Sequence, residues 1–344
     1  MSWPVEAKNI KKIQMEISNY CNARCPQCAR ELIFDGKIQP KHIGINDNFI
    51  TLEQFKSWFD KDNWENLLLL DFCGNYDEPT TNPDLIDIVK WIMSYKGFNS
   101  YLKVNISTNG GTRNKEFWKE LAEISSANIS PGGTKRVQVN WGIDGLEDTN
   151  HIYRVNVKWD KLQENFRTFI KHGGRAIWQF IYFSHNEHQD EEARQRSIDE
   201  GFEGMKWRGT KGRGAVEKVK QASTPKFELE NEKPVTKIQC KALSRPNYFG
   251  LDTGLYVTNR GAVLPCCWVG TETEMQNLYD KHGYKYSESD NLLTGNNSFQ
   301  EILDSSWYDD LHDMILKETW IPCTKHCKEN VISTINNELH INKE

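Results

Sequence analysis

Residues 10–210 alternate between short apolar runs and longer amphipathic segments. The run NLLLLDFC at residues 66–73 is continuously apolar, as expected of a strand that is buried on both faces. Segments with apolar residues at helical spacing separate such runs. The predicted strands cover residues 12–18, 66–73, 101–107, 135–143, 176–183 and 202–206. The predicted helices cover residues 51–61, 82–92, 114–124, 150–172 and 186–200, with Thr51 as the N-cap of the first.

This strand–helix alternation predicts βαβ units and therefore a parallel sheet in an α/β fold. Six strands are too few for a closed eight-stranded barrel, so we expect an open, partial (β/α)6 barrel. In parallel sheets the functional residues lie on the loops that follow the strands. The side chains that carry the chemistry are therefore expected in those loops.

The alternation stops near residue 211. Residues 252–267 predict a β-hairpin, and residues 298–316 predict a helix with Ser298 as its N-cap. The predicted organisation is a barrel at 1–210, a linker or lid at 211–239 and a small α+β domain at 240–344.

Composition narrows the class of protein. The 344 residues carry a net charge of −5, which provides no general attraction for nucleic acid, and no apolar stretch is long enough to span a membrane. The N-terminus lacks the apolar core of a signal peptide, so we expect a cytoplasmic protein with neither a membrane nor a nucleic-acid partner. Its nine cysteines are then expected to bind metal or to carry out redox chemistry rather than to form disulfides.

Three cysteines lie close together after the first predicted strand, as Cys21, Cys25 and Cys28 in the sequence NYCNARCPQCAR. A closed tetrahedral zinc site needs four ligands, and no histidine lies nearby to complete the set. An iron–sulfur cube held by three thiolates keeps one iron open, and an open coordination position is typical of a catalytic site. A structural zinc site with a distant fourth ligand is the alternative.

This Cys-x3-Cys-x2-Cys loop resembles the signature of the radical S-adenosylmethionine enzymes, and the resemblance covers roughly residues 10–210. It implies a partial (β/α)6 barrel and a [4Fe-4S] cluster whose open iron is chelated by the amino and carboxylate groups of S-adenosylmethionine. It also implies that an electron, from a flavodoxin- or ferredoxin-type donor, cleaves this cofactor to a 5′-deoxyadenosyl radical that abstracts hydrogen from the substrate.

The same resemblance assigns residues in the other loops. The stretch GNYDEP at residues 74–79 occupies the place of a loop that receives the methionine ammonium, and an arginine fork beyond the fourth strand can pair with a carboxylate. The implied catalytic residues are Cys21, Cys25, Cys28 and Arg154. The implied cofactor contacts are Gly74, Asn75, Asp77, Glu78, Ser107, Asn109, Asn140 and Asp144.

A second group of cysteines lies in the C-terminal third. The segment GAVLPCC at residues 261–267 resembles the hairpin of auxiliary-cluster domains, and the small number of cysteines resembles their shortened form, the twitch domain. The resemblance implies one auxiliary [4Fe-4S] cluster, with Cys267 spare. Its implied ligands are Cys240, Cys266, Cys323 and Cys327. Four thiolates can also hold a structural zinc ion, and that alternative stays open.

The resemblance implies an oxidation or related modification of a small-molecule or peptide substrate, with peptide crosslinking or epimerisation as alternatives. Because the cysteine loop begins at residue 21, no leader-peptide domain is expected before the barrel, which favours a small molecule or a peptide delivered by a partner. A zinc-stabilised interaction protein without enzymatic activity is the competing hypothesis. Basic residues at 206–220 predict a solvated face, or a contact with an anionic substrate or a reductant near the barrel mouth. Cys73 is expected to be a buried, small apolar side chain.

Overall fold

The computed structural model describes residues 4–34, 49–208, 219–220, 222, 254–270, 297–319 and 338–340. Most of the predicted linker lies outside the described residues, as do three predicted auxiliary ligands, Cys240, Cys323 and Cys327. The predicted domain boundaries therefore stay predictions.

The described strands form one sheet. They are β1 (Lys12–Met15), β2 (Leu69–Phe72), β3 (Lys103–Thr108), β4 (Val137–Gly142), β5 (Arg175–Ile181), β6 (Gly204–Arg208), β7 (Gly254–Val257), β8 (Val263–Leu264) and β9 (Glu338–His340). Their order is β8-β7-β1-β2-β3-β4-β5-β6-β9. Every neighbouring pair from β7 to β6 is parallel, whereas β8 and β9 run antiparallel to their neighbours. The predicted α/β fold with a parallel sheet is confirmed, and β1 to β6 lie side by side in chain order.

Helices connect these strands. They are α1 (Ala29–Phe34), α2 (Leu52–Phe59), α3 (Leu85–Ser94), α4 (Lys115–Ala127), α5 (Asn150–Tyr153), α6 (Trp159–Lys171), α7 (Asp190–Asp199), α8 (Phe299–Leu303) and α9 (Ser306–Leu316). Thr51 and Ser298 cap α2 and α8 as predicted, each in a reciprocal capping box with the residue three positions on. None of the helices in the described part of the chain is long and apolar enough to cross a membrane.

Two segments that were each predicted as a single helix are divided in two. Between α5 and α6, Asn156 adopts a left-handed φ of 72°, which a continuous helix cannot contain. Between α8 and α9, Ser305 has an extended conformation, with φ −75° and ψ 155°, and becomes a new N-cap. The helical apolar spacing continues through the second break and could not reveal it, whereas at the first break Tyr153, Val155 and Val157 alternate at a period of two.

The helices pack on one face of the sheet through aromatic side chains. Trp141 of β4 lies between Trp118 of α4 and Phe169 of α6, with ring centroids 4.5 Å and 5.9 Å from its own. Because side chains alternate along a strand, the neighbours Asn140 and Gly142 point to the opposite face. That face, opposite α4 and α6, is the interior of the partial barrel.

The predicted hairpin is confirmed, and it joins the barrel sheet. Strand β7 pairs in parallel with β1, with Gly254 opposite Lys12, so the hairpin extends the sheet beyond its first strand. Farther along the chain, α8 packs on the barrel, since the ring of Phe299 lies 4.8 Å from that of Trp64 and its N–H donates to Asp62 at 2.9 Å. Together with the pairing of β9 with β6, these contacts join the described part of the C-terminal third to the barrel at three separate places.

Candidate functional site

The three cysteines of the N-terminal loop lie between β1 and α1. Cys25 is buried, and Cys21 and Cys28 are half-buried. The Cys28 N–H donates to the Cys25 carbonyl at 2.9 Å, and the Glu31 N–H donates to the Cys28 carbonyl at 3.0 Å. These two hydrogen bonds form a tight turn that leads into α1. The turn places all three thiols beyond the carboxyl end of β1.

Each of the three sulfur atoms has a polar neighbour from another loop. The pairs are Asn109 Nδ2 with Cys21 Sγ at 3.6 Å, Arg154 Nη1 with Cys25 Sγ at 3.8 Å, and the Asn75 carbonyl with Cys28 Sγ at 3.7 Å. An N–H group that points at sulfur stabilises the charged form of that sulfur and tunes the potential of a cluster bound to it. The structure thus brings predicted residues from the loops after β2, β3 and β4 onto the cysteine loop.

The environment of the thiols suits a positively charged inorganic group. Burial raises the pKa of the Cys21 thiol well above its usual value, and it raises the pKa of Cys25 to about 12, against the opposing effect of Arg154. Thiolates at these positions therefore need a cation to replace the proton, and bound iron provides it. Three thiolates with N–H donors aimed at two of them fit an iron–sulfur cluster with one open iron.

The loop after β2 is organised around its two carboxylates. Glu78 is buried, and its carboxylate accepts the Asn109 N–H at 2.7 Å and the Thr80 hydroxyl at 2.6 Å. Burial raises the pKa of Glu78, and these donors oppose the rise. Asp77 points back into its own loop and accepts the N–H of Gly74 at 2.9 Å and that of Ile17 at 3.2 Å. Asp77 therefore shapes the loop, whereas Glu78 connects it to the end of β3.

Glu16 is a buried acid that sequence reasoning missed. Its carboxylate accepts the N–H groups of Asn75 at 2.6 Å and Tyr76 at 2.9 Å. A side chain cannot replace the hydrogen of Gly74, because an added Cβ would lie 2.1 Å from Glu16 Cγ. The sequence does contain one indication of this role. Lys12, Gln14 and Glu16 alternate with apolar residues, so the three polar side chains are expected on the same face of the strand.

Arg30 is a second residue that the sequence reasoning missed. Its buried guanidinium donates to the carbonyls of Asn19 at 2.6 Å and Tyr76 at 2.9 Å, so it ties the cysteine loop to the loop after β2. Burial lowers the pKa of Arg30, whereas the nearby Cys21 and Cys28 act to raise it. In the sequence it is an ordinary helix-forming residue directly after the cysteines, and no local pattern marks it as buried.

Glu16 is expected to make stability fall as pH rises towards neutrality. Burial raises its pKa to about 7 from 4.5, so the folded chain keeps a proton that the unfolded chain releases between these values. The stabilising contribution is complete below pH 4.5 and is lost as pH rises through 7. Thermal midpoints measured anaerobically from pH 5 to pH 8 should fall more steeply for the wild type than for Glu16→Gln. Glu53→Gln, at an exposed position of α2, is the control, and equal slopes for all three proteins would contradict the assignment.

Arg154 and Asp144 form an ion pair beside the cysteines. Arg154 Nε donates to Asp144 Oδ2 at 2.7 Å, and the other oxygen of Asp144, which is fully buried, accepts the Ile181 N–H at 2.6 Å. Burial is the largest single effect and lowers the pKa of Arg154, but the charges of Asp144, Cys25 and Tyr153 together outweigh it, so the net pKa is raised. Gly142 leaves space for this pair, since an added Cβ would lie 2.4 Å from Arg154 Nη2.

Ser107 and Asn140 occupy a different part of the site. Both point into the barrel interior, where Ser107 forms a hydrogen bond with Cys73 and Asn140 Oδ1 accepts a hydrogen bond from the Gln138 amide at 2.7 Å. In the described part of the chain, neither side chain hydrogen-bonds to the three cysteines of the N-terminal loop. These residues line the barrel interior below the cysteine loop.

The second cysteine group approaches the first through Asn75. The Asn75 side-chain amide donates to the Cys267 carbonyl at 2.7 Å, while the Asn75 main-chain carbonyl faces Cys28 Sγ. Cys266 and Cys267 directly follow the hairpin, and both pack half-buried against the core. One residue of the loop after β2 therefore touches both cysteine groups.

The cysteine loop and the sheet behind it carry a recognisable family pattern. The family model described as "Radical SAM superfamily" matches residues 15–196 of the 344, which is more than half of the chain. The chain belongs to the radical SAM superfamily. Membership implies an enzyme that binds a [4Fe-4S] cluster and S-adenosylmethionine, and the cysteine loop lies within the matched residues.

Solved structures of radical SAM enzymes share the fold. Streptococcus suis SuiB bound to S-adenosylmethionine is 15% identical over 76% of this chain and 61% of that chain, with a TM-score of 0.52. SuiB bound to the precursor peptide SuiA is 13% identical over 88% and 66% of the two chains, with a TM-score of 0.54. The protein anSMEcpe with bound AdoMet and the Cp18Cys peptide is 11% identical over 89% and 82%, with a TM-score of 0.51.

At these identities the likeness establishes the fold alone. The present chain spans 61% of the length of the SuiB chain bound to S-adenosylmethionine, so a substantial part of that protein has no counterpart here. No curated protein matches the sequence.

Proposed function

We propose that this radical SAM enzyme cleaves S-adenosylmethionine reductively and uses the resulting 5′-deoxyadenosyl radical to remove a hydrogen atom from a substrate in the barrel interior. The observation that carries the proposal is the convergence of three loops on the three cysteines, with a polar contact to each sulfur. The reaction proposed is an oxidation or a related modification, with electrons supplied by a flavodoxin- or ferredoxin-type protein.

Each part of the proposed reaction is assigned to particular residues of the chain. Cys21, Cys25 and Cys28 would hold the cluster, which when bound supplies one electron and an open iron for the cofactor. Glu78 and Asn109, already bonded to each other, would orient the methionine end of S-adenosylmethionine. Arg154, fixed by Asp144, would hold positive charge beside Cys25 and face the carboxylate of the cofactor. The further contacts assigned to S-adenosylmethionine are Gly74, Asn75, Asp77, Ser107, Asn140 and Asp144.

The same proposal includes one auxiliary [4Fe-4S] cluster in a twitch-like domain, held by Cys240, Cys266, Cys323 and Cys327. Two observations support this assignment. Cys266 follows the β7–β8 hairpin, and Asn75, which contacts Cys28 of the cysteine loop, donates a hydrogen bond to the Cys267 carbonyl. Four protein thiolates would leave no iron free, so this cluster would accept an electron from the substrate radical rather than bind the substrate. That arrangement favours a net two-electron oxidation.

A peptide is the second substrate class under consideration. SuiB is named with a precursor peptide and anSMEcpe with the Cp18Cys peptide, and both share the fold. Crosslinking or epimerisation of a peptide is therefore the alternative reaction. A zinc-stabilised interaction protein is the alternative of a different class, and anaerobically purified protein separates the two: a cluster protein is brown, whereas a zinc protein is colourless.

The auxiliary site is tested by adjacent substitutions. Cys266→Ala should remove the iron of one cluster, because it deletes a proposed ligand, whereas Cys267→Ala should keep the wild-type iron content. Iron and zinc are measured by metal analysis and Mössbauer spectroscopy on anaerobically reconstituted protein, together with 5′-deoxyadenosine and substrate product. Equal iron in both variants would contradict the ligand assignment, and stoichiometric zinc in place of iron would contradict the auxiliary cluster itself.

A further inference from the structure

The inward-facing side chains of the last parallel strand can be identified from packing. Trp141 faces the helices, Trp178 is its register partner on β5, and the ring of Trp178 lies 5.2 Å from that of Phe202. Two positions on, Phe180 is opposite Trp207 of β6, with ring centroids 5.1 Å apart. Trp207 therefore lies on the helix side of the sheet. Its neighbours along β6, Lys206 and Arg208, consequently point into the barrel interior.

Three basic side chains lie on this inward face of the sheet, namely Lys12, Lys206 and Arg208. Lys12 of β1 is already paired with Asp71 of β2 at 3.0 Å, and both belong to the same inward face. Lys206 is buried, with 3% of its surface exposed. The Nε of Arg208 is also buried, and within the described ranges it has no hydrogen-bond partner. A buried guanidinium N–H without an acceptor is a donor available to a ligand.

We propose that Arg208, with Lys206 beside it on β6, binds a carboxylate group of the substrate inside the barrel, so that the enzyme acts on an anionic substrate. This assignment rests on the proposed function, because it specifies the substrate of the same site. The guanidinium fork matches the two oxygens of a carboxylate, and the low dielectric of a barrel interior strengthens the pair. Ser107 and Asn140 lie on the same inward face, so the proposed carboxylate site shares that face with residues assigned to S-adenosylmethionine.

The experiment uses three probes on the full-length, reconstituted protein loaded with S-adenosylmethionine under anaerobic conditions. They are glutarate, its uncharged isostere glutaramide, and inorganic phosphate, each titrated by calorimetry. Glutarate should bind to the wild type, glutaramide should bind at least about tenfold more weakly, and Arg208→Gln should weaken glutarate binding by about tenfold or more. Arg208→Lys keeps the charge but not the fork, so its affinity should fall between those of the wild type and Arg208→Gln.

Arg194→Gln removes the same charge from the surface of α7, where Arg194 is paired with Glu191, and it should bind glutarate as the wild type does. Equal binding of glutarate and glutaramide, or equal glutarate binding by the wild type and Arg208→Gln, would overturn the proposal. Tighter binding of phosphate than of glutarate would overturn the choice of a carboxylate. The formation of 5′-deoxyadenosine by the wild type is assayed separately, so its absence would refute the proposed function without deciding the glutarate result.

Discussion

Replacing Cys21, Cys25 and Cys28 together by alanine is expected to abolish the formation of 5′-deoxyadenosine. Without the three thiolates no cluster can bind beside Asn109 and Arg154, and S-adenosylmethionine then has neither an open iron to chelate nor a source of the electron. The measurement is chromatographic quantification of 5′-deoxyadenosine after incubation with S-adenosylmethionine and dithionite. The expected loss is complete, to the level of a protein-free control.

Cys267→Ala is the matched control, since it also removes a half-buried thiol but one that is assigned no ligand role. It should form 5′-deoxyadenosine at the wild-type level. If the triple variant still cleaves the cofactor, the catalytic assignment of this loop is wrong. Loss of activity through unfolding is distinguished by two measurements. Circular dichroism would show the loss of secondary structure, and an unfolded protein would not retain iron at the C-terminal cysteines.

Asp144→Ala is expected to destabilise the protein by about 3–5 kcal/mol, the range for removing one partner of a buried ion pair. The substitution leaves the Arg154 guanidinium without its carboxylate and the Ile181 N–H without its acceptor, at a position that is fully buried. Urea unfolding followed by tryptophan fluorescence measures the change in the free energy of unfolding. Asp144→Asn keeps an oxygen for the Ile181 N–H and should lose less stability.

The control for this variant is Asp160→Ala, at an exposed position in the first turn of α6. Its loss should stay within about 1 kcal/mol, since only the interaction of the carboxylate with the helix dipole is removed. A loss below about 1 kcal/mol for Asp144→Ala as well would show that the pair does not organise this part of the barrel.

Local patterns predicted most of the strands and helices of the barrel, and the spacing of the cysteines predicted where its chemistry lies. The apolar strand at residues 69–72 and the cap at Thr51 are local features, and both were placed correctly within a few residues. The cysteine spacing indicated the site because three thiols in eight positions need no knowledge of the fold. In each of these cases the information is contained within one short segment.

Features that depend on distant contacts could not be predicted in this way. The pairing of Gly254 with Lys12 joins residues far apart in the chain, and the hairpin sequence specifies its own turn but not its neighbour in the sheet. Burial of Glu16 and Arg30 follows from the loop after β2 folding over both, which no pattern around either residue records. The break between α8 and α9 depends on the extended conformation of Ser305 inside a continuous apolar repeat.

The strands that flank the six-stranded core leave the described sheet with short outer strands, since β8 has two residues and β9 has three. An open parallel sheet leaves the outer N–H and C=O groups of its first and last strands unpaired, and such edges recruit strands from other molecules. Here β7 covers β1 on one side, and β9 covers the other side through Gly204 of β6 opposite His340. A chain cut after residue 210 would expose both edges at once, so the barrel and the residues that follow it form one unit for expression and for truncation.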